Sequence, residues 1–205
     1  MLNVGLTGGI ACGKSTVAQM FMRQGGYLID FDKLAHEAQE PEKPAWHDVV
    51  NCFGPDILQP DRKIDRNKLA AVVFNHPEKL EALNGIVHPR VYEEWHDRLE
   101  EIKTQNPHAI VFAEIPLLFE GRMQRLFDLT ILVMIEPEEQ IDRLMARNAI
   151  CREDAHLRLS SQMPIRDKIA LADIVIDNQC TIEETEKRVA DVWRNLLMRE
   201  KGSRR

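Results

Sequence analysis

The chain has 205 residues, 44% hydrophobic and 29% charged, which is enough apolar material for a buried core and rules out wholesale disorder. Its longest uninterrupted apolar run, Leu69 to Phe74, is six residues. A membrane span needs about 18, so no transmembrane helix is expected. A net charge of −6 makes non-specific binding to nucleic acid or a membrane surface a poor expectation.

The length suits one large domain, or one domain with an insertion. The first residues lack the basic start and long apolar stretch of a signal peptide, so the expected compartment is cytoplasmic. Cys12, Cys52, Cys151 and Cys180 form no CxxC pair. They read as free thiols in a reducing setting.

In chain order, Asn3 to Leu6 is a short strand candidate running into Thr7-Gly8-Gly9-Ile10-Ala11-Cys12-Gly13-Lys14-Ser15-Thr16. A helix follows, with Val17, Ala18, Phe21 and Met22 at core spacing, ending at Gly25-Gly26. Tyr27 to Ile29 is a second strand, stopping at Asp30. From Asp32 to about Thr104 the pattern is helical: Lys33 to Gln39, Ala45 to Cys52 and Asp65 to Phe74, then a stop and restart at Asn75-His76-Pro77. Pro89 is expected to break the next helix near His88. Val91, Trp95, Leu99 and Ile102 then share one face.

Residues 109–113 and 129–135 are apolar, β-branched-rich runs that read as buried parallel strands. Pro137 opens a helix carrying Ile141, Leu144 and Met145. Ile174 to Ile176 is a fifth strand. Thr181-Ile182-Glu183-Glu184 is a capping box, and Ile182, Val189, Val192, Trp193, Leu196 and Leu197 form the apolar stripe of the last helix. Lys201 to Arg205 reads as a frayed tail.

Five strands interleaved with helices predict an α/β fold, a parallel five-stranded sheet of the P-loop NTPase type flanked by helices. The nucleotide-binding core would comprise residues 1–34 and 105–205, with a helical insertion at 35–104.

Gly8-x-x-x-x-Gly13-Lys14-Ser15 matches the P-loop in full, after a strand and before a helix. Glycines let successive N–H groups turn toward one anion, and the helix adds its dipole. Lys14 would reach the β- and γ-phosphates, and Ser15 would ligate Mg²⁺. Cys12 reads as a small filler within the loop. The loop alone leaves ATPase, GTPase and kinase open. The nearest guanine-reading match, Asn67-Lys68-Leu69-Ala70, lacks its aspartate. No apolar run ends in a Walker-B aspartate: 109–113 ends in Glu114 and 129–135 in Glu136.

Asp30 and Asp32 follow the second strand, where ligands bind in doubly wound sheets. Asp32 is the candidate base and a further Mg²⁺-positioning carboxylate, with Asp30 in support. Capping of the following helix is the competing reading. Arg143, Arg147, Arg152, Arg158 and Arg166 cluster in a segment, about 140–166, that reads as a lid over the phosphates. Arg143 and Arg147 share a helix face. The seven histidines have no metal-ligand spacing, and His88 reads as structural.

Taken together, Thr7-Gly8-Gly9-Ile10-x-x-Gly13-Lys14-Ser15-Thr16-Val17-Ala18, Ile29-Asp30-x-Asp32, Val87-His88-Pro89, Pro116-Leu117-Leu118-Phe119-Glu120 and Ala172-Asp173-x-Val175-Ile176-x-Asn178 resemble the dephospho-CoA kinase family. The resemblance covers about residues 2 to 195. It implies transfer of the γ-phosphoryl of ATP to the ribose 3′-hydroxyl of dephospho-CoA, the last step of coenzyme A synthesis, with Mg²⁺. It makes Asp32 the base, assigns ATP to Gly8, Gly9, Ala11, Cys12, Gly13, Lys14, Ser15, Thr16 and Asn178, and gives Arg143 and Arg147 catalytic lid positions. The insertion becomes the acceptor domain. Two departures stand out: Ala11-Cys12 where Gly-Ser is commoner, and Met163-Pro164 where the family more often stays helical. A kinase of another small acceptor, such as a nucleoside monophosphate, is the enzyme alternative, and an ATP-sensing module the non-enzyme one.

Overall fold

A computed structural model describes residues 1–74 and 76–202 of the chain. Asn75 of the expected stop and restart, and 203–205 of the expected tail, lie outside them. The chain divides into two compact units, one of Met1–Asp30 with everything from Ile102 onward, the other Phe31–Glu101.

The first unit is built on five parallel strands, β1 (Leu2–Gly8), β2 (Tyr27–Asp30), β3 (Ile110–Glu114), β4 (Leu129–Met134) and β5 (Ile174–Asp177), in the order β2-β3-β1-β4-β5. Chain order reverses beside β1, so the segments leaving β1 and β3 border the crevice where such sheets bind ligands. β3 is buried at every position because both faces of a parallel sheet are covered. On one face pack α1 (Lys14–Arg23) and α9 (Ile182–Gly202). Phe21 stacks on Phe112 at 4.3 Å, and Trp193 also stacks with Phe112, at 6.3 Å. Burying side chains of this size stabilises by about 1.5–3 kcal/mol each.

Helix α1 ends as its glycines require. Gly25, at φ 101°, donates to Met22, and Gly26 donates to Phe21. The capping box of α9 is formed: Thr181 N–H donates to Glu184, and Glu184 N–H to the Thr181 hydroxyl. Its expected stripe is narrower than the sequence suggested. Val189, Trp193 and Leu196 are buried, but Ile182 in the first turn and Leu197 on the stripe's edge are exposed. The lid segment folds as α6 (Pro137–Asn148), α7 (Arg152–Ser160) and α8 (Ile165–Leu171), with Met163-Pro164 at the break between the last two. Pro164 has no N–H to continue α7 but suits the residue preceding a helix.

The second unit holds α2 (Phe31–Ala38), α3 (Pro44–Phe53), α4 (Arg66–Val73) and most of α5 (Pro77–Gln105). The expected break at Pro89 is absent, and α5 runs straight through it. Proline there forfeits one helical hydrogen bond, to the Gly85 carbonyl. Val87, Val91, Trp95 and Leu99 outweigh that loss as one buried stripe that spans the proline. Phe31 meets Trp95 edge-on at 5.4 Å, and Arg98 binds Glu37 at 2.6 Å.

Candidate active site

The glycine loop leaves β1 at Gly8 and enters α1 at Lys14. Gly13 sits at φ 83°, left-handed backbone that glycine takes without strain. Ala11 also has positive φ, at 60°. The cost of that conformation for an L-residue is about 1–2 kcal/mol. Its methyl joins Ile10 in packing against Ile141, Leu144 and Ala155 of the lid helices, a contact that offsets the strain.

Side-chain amides hold the loop's backbone from three directions. Gln140 Nε2 donates to the Ile10 carbonyl at 2.7 Å, Ile10 N–H donates to Gln162 Oε1 at 3.0 Å, and Asn178 Nδ2 donates to the Cys12 carbonyl at 2.9 Å. Asn178 is itself oriented by the Thr185 hydroxyl, which donates to its Oδ1 at 2.8 Å. Asn178, expected at the nucleotide, here gives its amide to the loop's backbone. Gln140 and Gln162 escaped the sequence reading. The signal for Gln140 was an amide on the apolar face of α6 beside Ile141 and Leu144. Gln162, in a connection, carried none.

The Cys12 thiol points inward and is 1% exposed. Burial pushes its pKa up to about 11, with Lys14 pulling weakly the other way. It is a packing residue with a neutral sulfur.

Glu114, the last residue of β3, is 6% exposed. Its Oε1 accepts from both Lys14 Nζ and Ser15 Oγ, each at 2.7 Å. In register it lies between Leu6 of β1 and Asp30 of β2. Glu114 therefore occupies the strand-end place where a Walker-B aspartate was sought, one methylene longer. Ser15 and Thr16 are solvent-exposed at the start of α1, as residues meeting a ligand must be. Serine hydroxyl and carboxylate together are the hard oxygen donors that Mg²⁺ takes.

Arg143 is bound to Glu139 at 2.9 Å, and its Nη2 donates to the Asn178 carbonyl at 3.2 Å, so its guanidinium borders the loop near Gly13. Arg147, one turn on, is exposed and donates to Asn148. Arg152 is tied to Glu138 and Asp142 on the lid surface. Asp32 lies in the first turn of α2, two residues past the end of β2, and belongs to the second unit. His88 sits inside α5, its ring 6.3 Å from Tyr92.

The family model for dephospho-CoA kinase matches residues 2–184. The chain belongs to the dephospho-CoA kinase family. A dephospho-CoA kinase of Syntrophus aciditrophicus is 50% identical over 205 residues, covering 100% of this chain and 87% of that protein. The crystal structure of TT1252 from Thermus thermophilus superposes with a TM-score of 0.82 at 35% identity, over 95% of this chain and 97% of that one. A dephospho-CoA kinase structure from Campylobacter jejuni gives 0.72 at 28% identity, over 98% of both chains. The parallel five-stranded fold of this family is the one described above, and its members are kinases.

Proposed function

We propose that the glycine loop, Glu114, Asp32 and the lid arginines divide the work of the family's reaction. That reaction is ATP-dependent phosphorylation of the ribose 3′-hydroxyl of dephospho-CoA, giving coenzyme A. Phosphoryl transfer asks little covalent chemistry of a protein, so positioning and charge compensation dominate. Backbone N–H groups from Gly13 to Thr16 hold the β- and γ-phosphates at the positive end of α1. Lys14 leaves Glu114 for the transferring phosphoryl. Ser15, Glu114 and Asp32 would hold Mg²⁺, which would neutralise phosphate charge. Asp32 accepts the hydroxyl proton, with Asp30, the last residue of β2, in support. Arg143 and Arg147 meet the charge that develops on the equatorial oxygens. Residues 35–104 serve as the acceptor-binding insertion.

The observation that carries this reading is the Glu114 carboxylate shared by Lys14 and Ser15. It joins the loop's cation and its hydroxyl to a buried acid at the mouth of the sheet. The described helices include none long and apolar enough to cross a membrane, and the cysteines are free thiols. The free thiols support action in the cytoplasm. The test is ATP consumption with dephospho-CoA against AMP and shikimate as control acceptors. We expect turnover with dephospho-CoA and little with either control. Comparable kcat/KM for AMP would overturn the acceptor assignment.

A further inference from the structure

The Pro116–Glu120 segment after β3 helps to carry the family resemblance but has no part in the phosphate site described above. Leu118 and Phe119 are buried, and the Gly121 and Met123 N–H groups close turns onto the Leu117 and Leu118 carbonyls. Glu120 therefore stands on a rigid turn. Its Oε1 lies 2.8 Å from the ammonium of Lys168, which is 1% exposed within α8. The same oxygen accepts the Met163 N–H at 3.0 Å. Stability alone does not call for such a pair, because desolvating two charges offsets much of their attraction and apolar side chains often replace them at no loss. Glu120 Oε2 adds to the deficit, being buried without a hydrogen bond among the described residues. What apolar side chains could not do is accept the Met163 N–H.

We infer that Glu120 and Lys168 are positioning residues for the phosphate loop, acting through Met163 and Gln162 on the Gly9–Ile10 turn. The inference deepens the phosphate-site reading above and rests on it. The Met163 N–H and the Gln162 carbonyl share one planar peptide unit, so holding that N–H fixes the direction in which Gln162 leaves the chain. Pro164 restricts Met163 from the other side. Gln162 Oε1 then accepts the Ile10 N–H at 3.0 Å. That N–H shares its peptide with the Gly9 carbonyl, which accepts the Cys12 N–H at 3.3 Å and closes the turn leading into Gly13. The contacts thus run without a gap from a buried ammonium on α8 to the backbone that presents the loop's N–H groups. Lys168 supplies the charge that keeps Glu120 turned inward. Without it, a carboxylate already 22% exposed would gain by turning to water.

Two double variants test this. Glu120→Leu with Lys168→Met removes both charges and the acceptor for Met163. Glu120→Gln with Lys168→Met removes both charges but keeps an acceptor. Both should melt within about 6 °C of wild type, since at most one hydrogen bond is lost. The Leu/Met chain should lose at least about tenfold in kcat/KM for ATP, because a misplacement of about 1 Å can cost a hundredfold. Its Ile10 amide should exchange with solvent at least about tenfold faster, while Val4 and Val111 in the sheet keep their protection. The Gln/Met chain should recover most of both, which a merely structural ion pair does not predict. Wild-type kcat/KM and Ile10 exchange in the Leu/Met chain overturn the inference, and so does a loss that the Gln/Met chain shares in full. The unmodified protein gives a reading that needs neither variant to fold. One set of contacts holds both amides, so Ile10 and Met163 should show protection factors within about threefold of each other, and a larger gap overturns the inference. If the wild-type chain consumes no ATP with dephospho-CoA, the phosphate-site reading itself fails, while the exchange measurements still decide whether Glu120 holds the loop.

Discussion

Gly13→Ala probes how the loop is held. Gly13 has φ 83°, and a Cβ added there would fall inside van der Waals contact of Asn178 Nδ2. Two costs follow. An L-residue in left-handed backbone loses about 1–2 kcal/mol. Displacing the Asn178 amide from the Cys12 carbonyl forfeits a hydrogen bond worth about 0.5–1.5 kcal/mol. Together they give about 2–3 kcal/mol. In a chain of this size each kcal/mol shifts Tm by about 2–4 °C, so Gly13→Ala should melt about 4–12 °C below wild type. Its KM for ATP should rise, because the N–H groups at 12 and 13 shift with the carbonyl. Asn178→Ala separates the two costs. Alone it loses the bond, and combined with Gly13→Ala it makes room for the methyl, so the pair should cost about 1 kcal/mol less than the sum. Thermal melts with ATP titrations read all three variants. A Gly13→Ala chain that melts with wild type and binds ATP equally would refute the account of the loop, and strict additivity would refute the clash.

Glu114→Gln keeps the shape but cannot neutralise Lys14 or hold a cation, so kcat should fall by at least about a hundredfold with folding intact; a variant above a tenth of wild-type rate would displace Glu114 from the site. Asp32→Asn preserves any helix cap yet cannot take a proton, so kcat should fall roughly 10²–10⁴ while ATP affinity changes less. Asp30→Asn should cost less, and the reverse order would exchange their roles. Cys12, with a folded pKa raised to about 11 from 9.0, favours the neutral thiol in the native state. Its contribution is complete below pH 9 and drains away between about pH 9 and 11, roughly 3 kcal/mol in all. Denaturant melts across that window should therefore show wild type losing more stability than Cys12→Ala, and parallel curves would mean the thiol is not buried as described.

The sheet was readable because parallel strands covered on both faces become almost wholly apolar runs, as at 109–113 and 129–135. The loop was readable because its glycines and lysine have fixed spacing. Pro89 misled because local propensity took no account of Val87 to Leu99, a stripe that rewards continuity across the proline. The last helix misled in the opposite sense, since periodicity cannot tell which flank of a stripe has a neighbour, and Ile182 and Leu197 had none to bury them. At the site, Glu114 was visible as a carboxylate closing a buried strand, but its partners Lys14 and Ser15 are about a hundred positions away. Gln140, Gln162 and Asn178 act on backbone atoms, and backbone partners leave no mark on sequence. Asn178 could be grouped with the nucleotide from its motif, but its task as a brace is a matter of geometry.

The three amides that grip Ile10 and Cys12 also bear on entropy. A free phosphate loop loses about 1–2 kcal/mol per residue when its backbone is fixed. For residues 10–12 that is about 3–6 kcal/mol, or roughly two to four powers of ten in affinity if nucleotide had to supply it. Here the loss falls on folding instead, where the core of the first unit absorbs it. The loop is already shaped before any ligand arrives, so side chains that grip only its backbone bear on how tightly an anion is held there.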